Sequence, residues 1–202
     1  MSRKTYDRAY FDRWYRSAEH RVGSRAALAR KVALVVATAE YYLGRPIKSA
    51  LDTGCGEAPW RSALLKLRPG LDYRGLDSSE YVVSRYGRSR NIGLARFGDL
   101  EHLRFERSVD LLVCSDVLHY VGDAELRQGL AGFAELCHGL AFIEVFSSDD
   151  ALNGDITGFV PRSAARYRTM FCRAGLVACG SHCYLSPSIN ASVAALEIQP
   201  LR

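Results

Sequence analysis

The sequence predicts one α/β domain with a doubly wound, mostly parallel seven-stranded sheet, an antiparallel C-terminal hairpin and N-terminal helices. Two observations support this prediction. Short apolar runs alternate with helix-like segments through the middle of the chain, as in parallel sheets that helices cover on both faces. The 202 residues, of which 48% are hydrophobic, can bury one core without metal or disulfide cross-links. We therefore treat residues 1–202 as a single domain.

Residues 1–45 are expected to form a helical cap or lid. Aromatic side chains recur there at spacings of three and four, which is typical of a helix with one aromatic face; they are Tyr6, Tyr10, Phe11, Trp14 and Tyr15. Ser24 then suits the N-cap of a second helix, which runs to about Leu43 and ends at Gly44. Its apolar part is too short to cross a bilayer, so we expect no membrane span.

Residues 46–146 contain a regular alternation and are expected to bind a cofactor. The predicted strands are 48–52, 72–77, 92–97, 109–115 and 140–146, and the predicted helices are 59–67, 79–86 and 123–137. The run at 109–115 is apolar almost throughout, which is typical of a central strand buried on both faces. In an open sheet of this kind, a ligand binds beyond the carboxyl ends of the strands.

Residues 147–202 are expected to lie on the substrate side of the sheet. A loop at 147–160 precedes a helix at 162–172 and two strand-like segments at 176–185 and 190–198. Only four residues separate these two segments, so they should pair as an antiparallel hairpin. Cys179, His182 and Cys183 lack the second ligand pair that a zinc site needs, and we predict no metal.

The charge of the chain is uneven, with a net of +5 overall and of +7 within residues 1–48. This basic surplus suits an anionic substrate, a carboxylate or a nucleic-acid backbone, but a solvated helix face explains it equally well. Nucleic acid is therefore a possible partner that we do not favour. The six scattered cysteines, with no secretory leader before them, indicate reduced thiols in a cytoplasmic protein.

A glycine-rich loop, residues 52–58 with the sequence DTGCGEA, lies between a predicted strand and a predicted helix. Its glycines allow a tight turn and a close approach of a ligand to the backbone. Asp77 ends the next strand about twenty residues later, where a carboxylate can accept from both ribose hydroxyls of a nucleoside. Pro59 stands where a dinucleotide site would place its third glycine. The loop therefore favours a nucleoside ligand over a dinucleotide.

The loop resembles motif I of the class I S-adenosylmethionine-dependent methyltransferases, acid-x-Gly-x-Gly-x-Gly, with Ala58 in place of the last glycine. Segments 75–77, 97–100 and 114–121 are similar to the second, third and fourth motifs of that family, in the same order. The resemblance implies that Asp77 binds the adenosyl ribose and Asp99 the adenine amino group. The cofactor would be S-adenosylmethionine, held by Asp52, Gly54, Cys55, Gly56, Asp77, Ser78, Asp99, Leu100 and Ser115.

His119 and Tyr120 are the candidate catalytic residues. An imidazole titrates near neutral pH, which suits a general base, and His119 closely follows the fourth strand. Many relatives carry Glu-His at this place, so their usual histidine position holds Tyr120 here, and a packing role for His119 is an alternative. Glu144 lies within an apolar strand and needs a partner or a function. Substrate binding and pairing with an arginine are both open to it.

We therefore expect transfer of a methyl group to an O- or N-nucleophile of a small-molecule substrate. One alternative is an RNA or protein methyltransferase, which the basic N-terminal part favours. Against it, the sequence shows no RNA-binding module and no Asn/Asp-Pro-Pro-Tyr-like motif after the fourth strand. The other alternative is an S-adenosylmethionine-binding protein without catalysis, which Ala58 and the missing Glu-His pair suggest.

Overall fold

Seven strands form one sheet in the computed structural model, which describes residues 4–17, 24–151 and 154–194. The strands are β1 (Ser49–Thr53), β2 (Asp72–Asp77), β3 (Ile92–Leu94), β4 (Val109–Ser115), β5 (Cys137–Glu144), β6 (Val177–Gly180) and β7 (Cys183–Leu185). Their order across the sheet is β3-β2-β1-β4-β5-β7-β6. Strands β1 to β5 run parallel, and β7 is antiparallel to both β5 and β6. The predicted fold class is confirmed.

Helices cover both faces of the sheet. They are α1 (Arg8–Phe11, continued by a π-helical turn at Asp12–Arg16), α2 (Arg25–Leu43), α3 (Pro59–Leu67), α4 (Glu80–Arg90), α5 (Asp123–Ala131), α6 (Phe133–Leu136) and α7 (Ala164–Arg173). Helices α2 to α4 pack on one face, and α5 to α7 pack on the other. Along β4, Leu111 and Val113 join the first apolar cluster, whereas Leu112 and Cys114 join the second. The sheet is therefore doubly wound.

Local sequence signals fix the ends of several helices. The Oγ atoms of Ser24, Ser79 and Ser163 each accept a hydrogen bond from the backbone N–H three residues later. Helix α2 ends at Gly44, whose φ of 66° lies in the left-handed region that glycine adopts readily. The bounds of α2 match the predicted ones for this reason, and those of α3 match because Pro59 suits the first turn of a helix. Among the described residues, no helix is both long and apolar enough to cross a membrane.

The C-terminal hairpin exists, but it lies at other residues than predicted. The segment 176–185, which we predicted as one strand, turns at Ser181 and His182, both with positive φ, and so contains β6 and β7. Gly180, with a φ of 94°, opens this turn and was the sequence signal for it. The predicted strand at 190–198 was wrong at its start, where Asn190–Ser192 forms a 3-10 turn. Residues 195–198 lie outside the described ranges.

The predicted helix at 123–137 is also divided. Helix α5 ends before Gly132, where a Cβ would collide with the backbone carbonyl of Leu100, and α6 adds one further turn. The strand β5 therefore begins at Cys137, three residues earlier than predicted, and ends at Glu144. Strand β3 ends at Leu94, because a 3-10 turn follows at Phe97–Glu101. This 3-10 turn packs closely against α5, where a Cβ on Gly129 would collide with Phe97.

A buried arginine holds together the segments that follow β4 and β5. Arg162 is only 2% exposed. Its Nε donates to Asp123 Oδ1 at 2.6 Å, and its other nitrogens donate to the carbonyls of Leu118 and Val121 and to the Tyr167 hydroxyl. A buried guanidinium is stable only when its donors are paired in this way. Arg162 thereby fixes the turn that contains the candidate residues His119 and Tyr120.

We expect Arg162→Met to lower the free energy of unfolding by about 3 kcal/mol, since it leaves the Leu118 and Val121 carbonyls without their donor and removes one of the two arginines that pair with Asp123. Urea denaturation followed by far-UV circular dichroism measures this change. The matched control is Arg166→Met, because Arg166 also pairs with Asp123 but is exposed. This control should change stability little. Equal losses in the two variants would contradict the role given to Arg162.

Candidate functional site

The candidate site lies at the carboxyl ends of the parallel strands, beside the point where strand order reverses between β1 and β4. In the loop after β1, the N–H groups of Gly54 and Cys55 donate to the carbonyl of Leu76, at 2.7 and 3.0 Å. A Cβ on Gly54 would collide with the side chain of Val117 from the turn after β4. The glycine loop, the end of β2 and the turn after β4 therefore meet in one crevice.

Ala58 takes the place of the third glycine without entering this crevice. Its φ of 55° lies in the left-handed region, which explains why glycine suits this position. Its methyl group is buried in the apolar cluster under α2, α3 and α4. The replacement therefore strains the backbone at the start of α3 but does not narrow the space in front of the loop.

Asp77 joins the end of β2 to the glycine loop. Its Oδ2 accepts from the Gly56 N–H at 2.7 Å, and its Oδ1 accepts from the Ser79 N–H at 2.8 Å. The residue is 8% exposed, and this burial raises the pKa of its carboxyl despite the backbone hydrogen bonds. Ser78, the next residue, is exposed. The acid is thus held at the position from which the resemblance expects it to bind ribose.

Asp52 and Cys55 lie behind the glycine loop and support it. The Asp52 carboxylate accepts from the Tyr73 hydroxyl at 2.8 Å, and burial raises its pKa to about 7. The Cys55 sulfur fits against Gly75, where a Cβ would stand only 2.8 Å from it. Burial also raises the pKa of the Cys55 thiol, which keeps it protonated. Both residues shape the loop from its inner side.

Asp99 and Leu100 lie in the 3-10 turn after β3. The Asp99 Oδ2 accepts from the Arg96 N–H at 2.8 Å, while Leu100 is buried against α5. An open cleft of about 290 Å³ lies beside Gly98, Asp99 and Glu125. The structure thus brings this turn to the same edge of the sheet as Asp77, with one side of the Asp99 carboxylate used for capping.

Ser115, at the end of β4, belongs to a polar cluster that contains Glu144. The Ser115 hydroxyl donates to Glu144 Oε2 at 2.7 Å, and Lys31 Nζ lies 2.6 Å from both carboxylate oxygens. Glu144, which lies in an apolar strand and needs a partner, is therefore paired with Lys31 of α2 and not with an arginine. Lys31 precedes the buried Val35 by one helical turn, so it lies on the side of α2 that faces the sheet.

His119 and Tyr120 have different surroundings. His119 is 3% exposed, with its ring 4.1 Å from that of Tyr120, 5.6 Å from Phe146 and 5.9 Å from Phe159. Burial, and next the charge of Lys4, lower its pKa to about 4. The Tyr120 hydroxyl donates to the carbonyl of Asp155 at 2.5 Å. His119 is thus a packed, neutral ring, while Tyr120 joins the turn after β4 to the loop after β5.

The segment 4–16, which we call the N-terminal strap, lies across the glycine loop. The Ser79 hydroxyl donates to the Tyr6 carbonyl at 2.5 Å, and the Phe11 ring stacks on Tyr81 with centroids 5.7 Å apart. A Cβ on Gly56 would collide with the Tyr15 hydroxyl. Arg16 pairs with Glu57 of the loop at 2.6 Å. The aromatic side chains of the strap therefore face the candidate site.

The buried Asp52 carboxyl makes stability depend on pH. Its pKa is about 7 in the folded protein and about 4 in an unfolded chain, so the folded state holds the extra proton between these values. The stability that this protonation contributes is complete below pH 4 and is lost as the pH rises through 7. We expect Asp52→Asn to gain about 2 kcal/mol of unfolding free energy over the wild type between pH 5 and pH 7.5.

Urea denaturation at the two pH values measures this gain. The matched control is Asp72→Asn, since Asp72 is exposed at the other end of β2. Its difference from the wild type should not change with pH. A difference between Asp52→Asn and the wild type that is the same at both pH values would contradict the raised pKa.

Comparisons with known proteins agree with this arrangement. A family model described as a methyltransferase domain matches residues 51–139, which run from β1 into β5. No curated protein has a significant sequence match to the chain. The matched range contains the glycine loop, Asp77, Asp99 and the turn after β4, which are the four motif segments that the sequence predicted.

Solved structures share the fold at low sequence identity. DesVI from Streptomyces venezuelae has a TM-score of 0.62 and 16% identity, covering 79% of this chain and 92% of that chain. A sugar N-methyltransferase from Streptoalloteichus has a TM-score of 0.62 and 18% identity, covering 80% and 87%. A SAM-dependent methyltransferase from Archaeoglobus fulgidus has a TM-score of 0.61 and 16% identity, covering 83% and 73%. The family model thus places a methyltransferase domain at residues 51–139, and the chain shares its fold with S-adenosylmethionine-dependent methyltransferases of solved structure.

Proposed function

We propose that the chain binds S-adenosylmethionine in the crevice in front of the glycine loop and transfers its methyl group to an O- or N-nucleophile of a small molecule. The observation that carries the proposal is the N-terminal strap. It lies over the crevice and is tied to the rest of the protein at both ends, by Lys4 to Asp155 and by Arg16 to Glu57, each at 2.6 Å. A crevice covered in this way suits a small acceptor better than a macromolecule.

The residues at the crevice fit this cofactor. Asp77 is a nearly buried carboxylate whose partners are backbone N–H groups, so each of its oxygens keeps a lone pair for a ribose hydroxyl. Gly56, with a φ of 53°, has no Cβ, and the Tyr15 hydroxyl of the strap lies where one would stand, so the strap reaches the backbone of the loop directly. We assign the ribose to Asp77 and Ser78, the adenine to Asp99 and Leu100, and the methionine half to the glycine loop and Ser115.

The sulfonium of the bound cofactor supplies an electrophilic methyl group. The chain then has to hold the acceptor in line, and orientation of this kind lowers a barrier by on the order of 7–11 kcal/mol. The strap covers the crevice and limits its contact with bulk water. We assign a positioning role to His119, because an imidazole with a pKa of about 4 is a weak base and its ring supports Tyr120. Tyr120 is the one of the pair that can contact the acceptor.

The charges of the N-terminal part argue against a nucleic-acid substrate. Of its basic residues, Lys4, Arg16, Lys31 and Arg45 form ion pairs with acids of the methyltransferase core. The basic surplus of residues 1–48 is therefore partly neutralised within the described part of the fold. A protein that binds a phosphate backbone uses unpaired lysines and arginines for this purpose.

We expect Asp77→Ala to weaken the binding of S-adenosylhomocysteine by about 1–3 kcal/mol, since it removes charge-assisted hydrogen bonds to the ribose. Isothermal titration calorimetry measures this loss. The matched control is Asp72→Ala, at the exposed start of the same strand, which should bind as the wild type does. Unchanged affinity of Asp77→Ala would remove this residue from the cofactor site.

A transfer assay with radiolabelled S-adenosylmethionine tests the substrate class. We expect label in small alkylamines or alcohols, insensitive to salt, and none in RNA or protein. Salt-sensitive labelling of RNA would overturn the proposal in favour of an RNA methyltransferase. Binding of S-adenosylhomocysteine without transfer to any acceptor would instead support a protein that binds the cofactor but does not catalyse.

A further inference from the structure

The ammonium group of Lys4 lies among three tyrosine rings. Its Nζ is 3.4 Å from the ring centroid of Tyr120, 5.2 Å from that of Tyr10 and 5.4 Å from that of Tyr6. Asp155 completes the enclosure, with its Oδ2 at 2.6 Å from Nζ. We call these four surrounding residues the aromatic cage.

The enclosure is unusual for a lysine near a chain terminus. The side chains of Lys4 and Asp155 are only 11% and 10% exposed, although lysines are almost never buried without a specific reason. The Lys4 stem packs against Gly158, where the backbone has a φ of 78°. Faces of aromatic rings attract a cation through their quadrupole, and rings around an acid form the usual receptor for an alkylated ammonium.

Three separate segments build the cage at the candidate site. Tyr6 and Tyr10 come from the N-terminal strap, Tyr120 from the turn after β4, and Asp155 from the loop after β5. The turn that carries Tyr120 also carries Val117, whose side chain packs on Gly54 of the glycine loop. The Ser79 hydroxyl fixes the strap at Tyr6 next to Asp77. The cage therefore adjoins the proposed cofactor crevice on its acceptor side.

We propose that the aromatic cage is the acceptor site for an alkylammonium group, and that Lys4 occupies it as an internal stand-in which the acceptor displaces. This inference rests on the proposed function and narrows its substrate class to primary and secondary alkylamines. The rings select the cationic group, and Asp155 orients it. A neutral alcohol of the same shape lacks both attractions.

Methyl transfer to such an acceptor forms a carbon–nitrogen bond and breaks a carbon–sulfur bond. The ammonium loses a proton to water, and the lone pair of the nitrogen forms the bond to the methyl carbon while the carbon–sulfur electron pair stays with sulfur. Burial lowers the pKa of Lys4 although the Asp155 carboxylate opposes this, so desolvation in the cage assists loss of the proton from a bound amine. The product carries one more methyl group and still suits the cage as a cation.

Calorimetric titration of the full chain with choline and with 3,3-dimethylbutan-1-ol, its neutral isostere, tests the cage directly. In Lys4→Ala, which vacates the cage, we expect choline to bind at least tenfold more tightly than the alcohol. The wild type should bind choline at least tenfold more weakly than Lys4→Ala. The matched control is Arg8→Ala, an exposed strap residue that pairs with Asp12, and it should behave as the wild type does.

A second pair of variants separates the rings from a general effect on the strap. In the Lys4→Ala background, Tyr120→Phe keeps the ring face and should keep the choline preference, whereas Tyr120→Leu should abolish it. Equal affinity of Lys4→Ala for choline and for the alcohol, or no binding of either, would overturn the inference.

Titration of the same samples with S-adenosylhomocysteine separates a failure of the cage proposal from a failure of the proposed function. Its binding without a choline preference contradicts the cage alone. Its failure to bind the wild type contradicts the proposed function. In the transfer assay, the wild type should favour alkylamines over matching alcohols at least a hundredfold in kcat/KM, and the opposite preference would also overturn the inference.

Discussion

The site depends on the contact between the glycine loop and the end of β2. Two loop N–H groups donate to the Leu76 carbonyl, and a third donates to Asp77, so the loop folds across the neighbouring strand. This fold needs the positive φ values of Gly54 and Gly56. The same hydrogen bonds orient the Asp77 carboxylate. The backbone conformation of the loop after β1 and the position of the Asp77 side chain at the end of β2 therefore depend on each other.

The sequence predicted those parts of the fold and site that depend on local signals. Ser24 and Gly44 predicted the two ends of α2. The order of the motifs predicted that Asp77 and Asp99 follow successive strands at the same edge of the sheet. Contacts between distant segments were not predictable in this way. The division at Gly132 depends on the Leu100 carbonyl that packs against it, which no local pattern reveals.

The same distinction applies to charge. The sequence showed that the N-terminal part is basic, and it showed that Glu144 required a partner. It could not show that Lys31 is that partner, because the pairing spans 113 residues. His119 is a similar case. An imidazole is a suitable general base, but Phe146 and Phe159, which follow β5, bury this one, and burial lowers its pKa. The sequence shows the chemical type of each side chain, but it does not show the neighbouring residues that change its pKa or pair with its charge.

The burial of the Asp52 carboxyl has a consequence for ligand recognition. A carboxyl with a pKa of about 7 is about half protonated at neutral pH. A positively charged ligand in front of the glycine loop favours the ionised form, so its binding is coupled to the release of a proton from beneath the loop. The heat of binding then includes the ionisation heat of the buffer, and the buried carboxyl beneath the loop takes part in recognition through its change of charge.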